Sequence, residues 1–369
     1  MLSTRNTKRP RRTVALATAG GLLAALGLTA CGSSAAGSAA SAGSSGSGGK
    51  LPKVTMMVGG IDKQIYLPYE LALRLGFYQK YGVDMQLSTE TNGGVGAEDA
   101  MASGQVDLAG AWYIHTFDFQ AKGKDVINLA QLSGAPGERV MCSKNSGVTT
   151  PADFKGKSIG VTDLGSGTDD LIQQVAAHYN LSTSQFHRIG VGDGSTLLAA
   201  LKQNRVACAI TTQPTVSAIE KSGAGTSVLD LSSTAGATQW LGGTWPAAGV
   251  LTLNSWAQSH QDTAQKVVDA LVATMHWINT HTAAQIADAL PASYTDNGLI
   301  TKADYVAALA QDKGQFLPDG MMPVNGPATV QATAKLSGVD VSKVKVSGTY
   351  TNQYVIAANK LEGFTVSGG

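Results

Sequence analysis

The stretch from Gly165 to Asp170 carries residue types that could bind a charged group. Gly165, Ser166 and Thr168 precede a predicted helix whose first turn holds Asp169 and Asp170. Unpaired N–H groups at a helix N-terminus attract anions. Two carboxylates in the same turn repel an anion, so the stretch favours a neutral or cationic ligand over an oxyanion. The alternative is that Ser166 or Thr168 is only a helix cap.

Aromatic, amide and hydroxyl side chains occur at comparable positions, mostly just past other predicted strands. Glycines in the first of these loops allow close approach of the backbone, and aromatic side chains in the second offer a flat wall. Each residue could instead cap a helix or pack in the core. We predict these ligand contacts: Gln64 and Tyr66 after the strand at residues 54–58, Trp112, Tyr113 and His115 after 108–111, Thr212 and Gln213 after 208–211, and Trp245 farther along the chain.

Patterns that would indicate an enzyme are incomplete in this sequence. Residues 190–194, Gly-Val-Gly-Asp-Gly, follow a predicted strand but lack the spacing of a dinucleotide fingerprint. The chain has no complete nucleotide phosphate loop and no helical His-Glu-x-x-His motif. His276 and His281 are five residues apart, which places them poorly for binding one metal ion. The sequence therefore predicts no catalytic residue, no metal site and no cofactor.

The elements that position these loops are predicted by alternating apolar runs and helical patterns. Strand–helix units repeat from residue 54 and again from Thr150 and Pro151, which have the residue types of a helix start. This alternation predicts an α/β fold with parallel sheets and covering helices. In open α/β sheets ligands bind beyond the carboxyl ends of the strands, so we expect the loops to meet in a cleft.

The last third of the chain determines the predicted domain organisation. Residues 255–361 form mainly helical patterns and have no sheet of their own, so they must cover a sheet formed earlier. The chain then crosses between two domains near residues 142–145 and again near 244–253, and two adjacent crossings form a hinge. The predicted domains are domain I, residues 51–143 plus 248–369, and domain II, residues 144–247.

The N-terminal segment indicates export. Basic residues without an acid precede the apolar residues 13–28, a run too short to span a bilayer in the usual way. Leu28-Thr29-Ala30-Cys31 then matches a lipoprotein signal, which predicts removal of residues 1–30 and a lipid on Cys31 at the outer face of the cell membrane. The alternative is an ordinary signal peptide with Cys31 unmodified, and the export route stays open. Residues 31–50, nearly all Gly, Ser and Ala, predict a flexible tether of roughly 20–25 Å.

Charge and cysteine content narrow the classes of partner. Five of the 27 basic residues lie in residues 1–30, so their removal leaves 22 basic against 26 acidic residues. Nothing basic remains to indicate nucleic-acid binding. Beyond Cys31, the chain has only Cys142 and Cys208, both in apolar runs. Buried free thiols are the favoured interpretation, and a single bridge between them stays open.

Several stretches together resemble one protein family. Residues 153–161, Asp-Phe-Lys-Gly-Lys-Ser-Ile-Gly-Val, are followed by Gly-Ser-Gly at 165–167; residues 78–86, 102–108 and 277–278 agree in order and spacing. The chain resembles the periplasmic binding proteins of the sulfonate, nitrate, taurine and thiamine-precursor family (NMT1/THI5-like), over about residues 53–360.

The resemblance implies a type II periplasmic-binding-protein fold, with a ligand cleft between two α/β domains. It also implies a monomeric receptor that delivers a small molecule to an ABC permease: a sulfonate or taurine, a nitrate-like anion, or a pyrimidine or aromatic amine precursor. Relatives often carry an acid before the proline that Gln213 precedes, which puts that contact in doubt. The cysteine-rich iron motif of some fungal relatives is missing. The alternative function is an extracellular enzyme or sensory module on the same fold.

Overall fold

The computed structural model describes residues 50–90 and 95–366. The predicted signal, Cys31 and almost all of the predicted tether lie outside the described residues. The strands are β1 (Lys53–Val58), β2 (Asp84–Thr89), β3 (Leu108–Trp112), β4 (Val126–Gln131), β5 (Glu138–Cys142), β6 (Ser158–Val161), β7 (His187–Gly190), β8 (Cys208–Thr212), β9 (Thr226–Leu231) and β10 (Ala248–Leu253).

Helices alternate with these strands and then continue without them. They are α1 (Leu67–Arg74), α2 (Phe77–Lys80), α3 (Val95–Ala102), α4 (His115–Ala121), α5 (Gly167–His178), α6 (Gly194–Lys202), α7 (Thr215–Lys221), α8 (Thr234–Leu241), α9 (Asn254–Ser259), α10 (Gln261–Thr280), α11 (Ala283–Ala289), α12 (Ala292–Thr295), α13 (Lys302–Asp312), α14 (Gly326–Leu336) and α15 (Gln353–Glu362). No helix in this part of the chain is both long and apolar enough to cross a bilayer.

The strands form two five-stranded sheets within the described ranges, and each sheet is the centre of one lobe. The first lobe has the order β2-β1-β3-β10-β4 and the second β7-β6-β8-β5-β9. The α/β prediction is confirmed, but the sheets are mixed rather than parallel. In each sheet one strand runs against its neighbours: β10 in the first and β5 in the second. Both strands arrive from the other lobe by a short connection, whereas a parallel strand needs a long crossover.

The first crossing between the lobes lies earlier than expected. Strand β5 pairs with β8 and β9 of the second sheet, so the chain crosses at residues 132–137 and not near 142–145. The sequence predicted the strand itself but not its sheet, because an apolar strand fits either core. The chain returns at residues 242–247, between α8 and β10, which overlaps the expected second crossing.

The helical tail contacts both lobes, although it was expected to cover only the first. Helix α10 packs on α1, α2 and α15 of the first lobe, and its predicted apolar face is buried. Helices α13 and α14 also reach the second lobe, where they lie against α7 and α5, and α14 contacts α4 of the first lobe as well. Lys221 of α7 forms an ion pair with Asp304 of α13. The tail therefore bridges the two sheets in addition to covering one of them.

Cys142 and Cys208 form a disulfide, and the favoured interpretation of free thiols is wrong. The two residues face each other in register on β5 and β8, with Cα atoms 3.9 Å apart. Their pairing follows from the placement of β5 in the second sheet, which the sequence did not reveal. The bridge closes a loop across 66 residues within the second lobe.

Candidate ligand-binding site

A small cavity lies between the two lobes and takes its walls from both. The volume open to the centre of a water molecule is about 20 Å³. In this arrangement the cavity therefore holds about one water. The first lobe contributes the loop after β1, the start of α4 and parts of α3 and β3, and the second contributes β5 and the start of α5. The lining residues are Lys63, Ile65, Tyr66, Glu98, Trp112, His115, Glu138, Thr162, Gly167 and Thr168.

The polar groups at the start of α5 bond largely to one another. The Thr162 N–H donates to Thr168 Oγ1 at 3.0 Å, and the Thr162 hydroxyl donates to Ser166 Oγ at 3.0 Å. Asp169 Oδ2 accepts from the Gly165 N–H at 2.9 Å and forms an ion pair with Arg188 at 2.6 Å. A carboxylate of the chain itself therefore occupies a position near the helix start that an anionic ligand would otherwise take.

Trp112 forms the contact between the first lobe and the start of α5. A Cβ atom on Gly167 would lie 2.1 Å from Cε3 of the Trp112 ring, so only glycine permits this approach. The ring of Trp112 also meets Trp245 edge to face, with centroids 5.4 Å apart. Trp245 is fully buried, and its Nε1–H donates to Thr333 Oγ1 at 2.9 Å. Trp112 is thus fixed from behind while it faces the cavity.

His115 lies within a cluster of carboxyl groups on the first-lobe side. Its Nδ1 is 2.9 Å from Asp118 Oδ2 and its Nε2 is 3.2 Å from Glu98 Oε1. Burial lowers the pKa of His115, but Glu98, Asp118 and Asp170 outweigh that effect, so the pKa is raised and the ring is cationic near neutral pH. Burial raises the pKa of Glu98 despite the attraction of His115.

Glu138 is the carboxyl group of the second-lobe wall and lacks a partner for one oxygen. The residue is 3% exposed, and its Oε2 atom accepts no hydrogen bond within the described structure. Burial raises the pKa of Glu138 to about 8, and Asp193 adds to the rise while Lys63 opposes it. Lys63 binds Asp193 at 2.7 Å and the Gly59 carbonyl at 2.9 Å. Its charge is therefore largely engaged by another carboxylate.

The cavity brings together four of the predicted contacts, Tyr66, Trp112, His115 and Thr168. Ser166 lies just behind Thr168, with its hydroxyl 2.8 Å from Thr168 Oγ1. Gly165 lies outside the cavity, in a neighbouring groove that shares Glu98 and His115 with it.

The remaining predicted residues lie away from the cavity. Tyr113 follows Trp112 directly and points to the other side, where it packs on Phe117 and Tyr350 and bonds to Thr349. Thr212 donates to the Gly137 carbonyl at 2.7 Å. Trp245 supports Trp112 without lining the cavity. The polar groups of these three residues form hydrogen bonds within the chain and do not line the cavity.

Gln64 and Gln213 join the lobes outside the cavity. The Gln64 N–H donates to the Gln213 carbonyl at 3.0 Å, and Gln64 Nε2 donates to the Tyr305 carbonyl at 3.0 Å. The side chain of Gln213 accepts from the N–H and hydroxyl of Ser217 in its own lobe. Both residues hold backbone segments in place.

The sequence analysis missed six lining residues: Lys63, Ile65, Glu98, Glu138, Thr162 and Gly167. Lys63 and Ile65 belong to a loop that was selected for its other members. Glu98 lies within α3, where no loop signal marks it. Glu138 begins β5 at the crossing between lobes, and a correct position for that crossing would have identified it.

A family model described as NMT1/THI5 like matches residues 65–284, more than half of the chain. A solved structure of a protein from Bordetella bronchiseptica RB50 is 31% identical, with a TM-score of 0.79 over 85% of this chain and 99% of that chain. The alkanesulfonate-binding protein SsuA from Xanthomonas axonopodis pv. citri, solved with MOPS bound, is 17% identical, with a TM-score of 0.64 over 82% of this chain and 99% of that chain. At that identity the likeness to SsuA shows the fold alone.

Two curated relatives have names that indicate different functions, one an enzyme and the other a binding protein. The 4-amino-5-hydroxymethyl-2-methylpyrimidine phosphate synthase of Schizosaccharomyces pombe is 27% identical over 143 residues, 38% of this chain and 40% of the synthase. The chain thus spans about two fifths of that enzyme's length. YtlA of Bacillus subtilis, described as a candidate binding protein, is 24% identical over 241 residues, 63% of this chain and 68% of YtlA. With its two α/β lobes and a family match over more than half of its length, the chain belongs to the NMT1/THI5-like family.

Proposed function

We propose that this protein is an extracytoplasmic solute-binding lipoprotein of an ABC importer, which captures a small organic molecule by closure of its two lobes. The observation that carries the proposal is the cavity between the lobes. Its walls come from both lobes, which are joined by the chain crossings at 132–137 and 242–247. A ligand larger than one water requires the lobes to stand slightly farther apart than in this arrangement, and between them it would touch both lobes at once. It therefore favours the closed arrangement over an open one.

Contacts across the cleft support a closing motion. Lys63 of the first lobe pairs with Asp193 of the second, and Trp112 lies on Gly167. The ion pair retains some solvent exposure at Asp193. The lobes also meet away from these two contacts, where α13 and α14 of the tail pack on α7 and α5. A partly exposed ion pair contributes little net free energy, so at the cleft a bound ligand would supply most of the bias between open and closed forms.

The anchor and the partner complete the proposal. A lipid on Cys31 and the tether of residues 31–50 would hold the monomeric receptor within roughly 20–25 Å of the membrane, where a permease could accept the ligand. The name of the relative SsuA, an alkanesulfonate-binding protein, supports a receptor role on this fold.

A catalytic role receives less support. The synthase activity named for the fission-yeast relative belongs to a protein of which this chain matches 40%. Cys142 and Cys208 are joined to each other, so neither offers a free thiolate for metal or nucleophilic chemistry.

The test is to identify what the purified full-length protein carries and whether it returns that molecule unchanged. Protein isolated from its native membrane is heat-denatured, and the released small molecules are identified by mass spectrometry and added back. We expect one unmodified molecule that raises the melting temperature on return and lowers the radius of gyration. A chemically altered molecule, or a radius that does not change on binding, would contradict a closing receptor.

The anchor needs a separate measurement. Cells fed an alkyne-tagged fatty acid should label the wild-type protein, and a Cys31→Ala variant should lose the label and leave the membrane fraction. Equal labelling of both proteins would place the lipid elsewhere.

A further inference from the structure

The charges around the cavity do not balance. Glu98 and Glu138 line it from opposite lobes, and Lys63 and His115 are the cationic side chains among its lining residues. Lys63 binds Asp193 outside the cavity, and His115 is shared between Asp118 outside it and Glu98 within it. Four carboxyl groups, Glu98, Glu138, Asp118 and Asp193, therefore share these two cations. A buried carboxylate without a counter-charge is costly, so burial raises the pKa of Glu98 and of Glu138 to about 8, and in the ligand-free protein both are largely protonated near neutral pH.

The geometry of Glu138 shows where the missing positive charge would bind. Its side chain is buried, yet Oε2 has no hydrogen-bond partner in the described chain, and the residue faces the cavity. Buried polar atoms in folded proteins are rarely left in this condition. The neighbouring Arg139 cannot help, because its guanidinium is bound to Asp312 and Asp230 on the other side of β5.

We infer that the ligand is a small organic cation whose N–H groups bind Glu138 of the second lobe and Glu98 of the first. The inference rests on the proposed receptor function and specifies its substrate class. An amidinium, guanidinium or protonated heteroaromatic amine meets the requirement, because each offers several N–H donors around one delocalised charge. The rings of Trp112 and Tyr66 add aromatic wall that a flat cation can contact favourably.

The groove next to the cavity has charge of the same sign. It shares Glu98 and His115 with the cavity and is lined further by Asp99, Asp118, Asp169 and Asp170. Lys122 and Arg188 also line it, and Arg188 is paired with Asp169. One oxygen of the buried Asp169, Oδ1, has no partner in the described residues. An acidic approach of this kind attracts cations and slows anions.

An oxyanion fits this cavity poorly. A sulfonate or nitrate enclosed between Glu98 and Glu138 would keep both carboxyl groups protonated, whereas a cation allows them to ionise and pair with it. Asp169 already accepts from the Gly165 N–H just before α5, in the neighbouring groove, and adds negative charge near the helix start. The ligand class inferred here therefore differs from the one that the name of SsuA gives for that relative.

Two isosteric series test the charge of the ligand directly. Full-length protein, freed of bound molecules by dialysis against denaturant and refolding, is titrated at pH 7.5 with acetamidinium, acetamide and acetate, and with benzamidinium, benzamide and benzoate. Within each series, shape is nearly constant and charge changes from positive to negative. We expect the cation to raise the melting temperature in at least one series and the carboxylate in neither. The molecule released from the native protein should also be a cation.

Variants assign the effect to the two glutamates. Glu138→Gln and Glu98→Gln should each weaken binding of the cation by about tenfold or more, because each leaves one charge unmatched. Glu138→Gln should also raise the melting temperature of the ligand-free protein, which shows that it folds. The matched control is Asp262→Asn, which removes an exposed carboxylate of α10 and should leave binding unchanged.

The outcomes separate this inference from the proposed function. A native or isosteric ligand that is an anion, or equal binding of the cation by wild type and Glu138→Gln, would overturn the cation class and leave the receptor in place. Absence of any released molecule together with no response to all six probes would overturn the receptor proposal itself.

Discussion

Two neighbouring residues of β5, Glu138 and Arg139, are both buried and ionisable but have opposite surroundings. Arg139 donates to both oxygens of Asp312 at 2.7 and 2.8 Å, to Asp230 at 2.9 Å and to Ser232 at 3.0 Å. Glu138 lines the cavity with one oxygen unpartnered. Successive side chains of a strand point to opposite faces, so one strand presents a completed charge cluster to the helical tail and an incomplete one to the cavity.

The difference separates a structural charge from a functional one. The guanidinium of Arg139 ties the second sheet to the end of α13, and its charge is matched within the chain. The carboxyl group of Glu138 reduces the stability of the ligand-free protein, which is expected of a group retained for binding. Removing charge on the two sides of β5 should therefore change stability in opposite directions.

The largest effect is expected from Asp312→Ala, on the completed side. The change leaves the buried Arg139 with only Asp230 and Ser232 as partners, and loss of one member of a buried ion pair costs about 3–5 kcal/mol. Urea denaturation followed by circular dichroism should show this loss in the free energy of unfolding. The control Asp262→Asn removes an exposed i,i+4 pair with Lys266 and should cost less than about 1 kcal/mol. Equal losses in the two variants would mean that the cluster around Arg139 is not structural.

The opposite end of β5 provides the second test. Cys142 ends the strand and is bonded to Cys208 of β8. Opening a bridge that closes a loop of this length should cost about 2–4 kcal/mol, mainly by freeing the unfolded chain. The free energy of unfolding is compared with and without dithiothreitol, and the Cys142→Ser, Cys208→Ser double variant should show no response to the reductant. A wild type equally stable in both conditions would contradict a bridge that stabilises the second lobe.

Much of the fold could be predicted from the chain alone. The expected strands at 54–58, 108–111 and 208–211 agree with β1, β3 and β8 within one residue, because apolar runs bounded by turns are a local signal. The sheet to which β5 belongs is not a local property. Its apolar residues fit either core, and only its pairing with β8 and β9 assigns it.

The site was harder to predict for the same reason. The loop residues Trp112 and His115 could be predicted from their position at the end of β3. Tyr113 does not line the same cavity, because adjacent residues of an extended chain face opposite sides. Glu98 lies on a helix and Glu138 on a strand misassigned to the first domain. Whether Glu98 and Glu138 line the same cavity depends on how the two lobes close. No residue spacing in the sequence gives that information.

The incomplete side of β5 gives the third prediction, Glu138→Gln. The pKa of Glu138 is about 8 in the folded protein and ordinary in the unfolded chain, so between about pH 4.5 and 8 the folded state holds a proton that the unfolded state has released. Stability from this residue therefore falls as pH rises through that window. The variant should match wild type near pH 4.5 and exceed it by about 1–3 kcal/mol at pH 8.5.

Denaturation at several pH values checks this prediction. Glu98 and His115 titrate in both proteins, so their contributions largely cancel in the difference. A constant difference between variant and wild type across the pH range would show that Glu138 is not buried as a lone carboxyl group.

The smallest expected effect concerns closure rather than charge. In Gly167→Ala the new methyl group would lie 2.1 Å from the Trp112 ring, which cannot retreat because Trp245 supports it from behind. Overpacking of this kind costs about 1–3 kcal/mol, and here the lobes can relieve it by staying apart. Ligand affinity should therefore fall about tenfold while the second lobe keeps its stability, since alanine favours the helix. Gly314→Ala, where no atom lies within 4 Å of the added group, serves as the control. Unchanged affinity in Gly167→Ala would mean that Trp112 and the start of α5 do not meet in the ligand-bound form, and that the wall of the cavity is built differently.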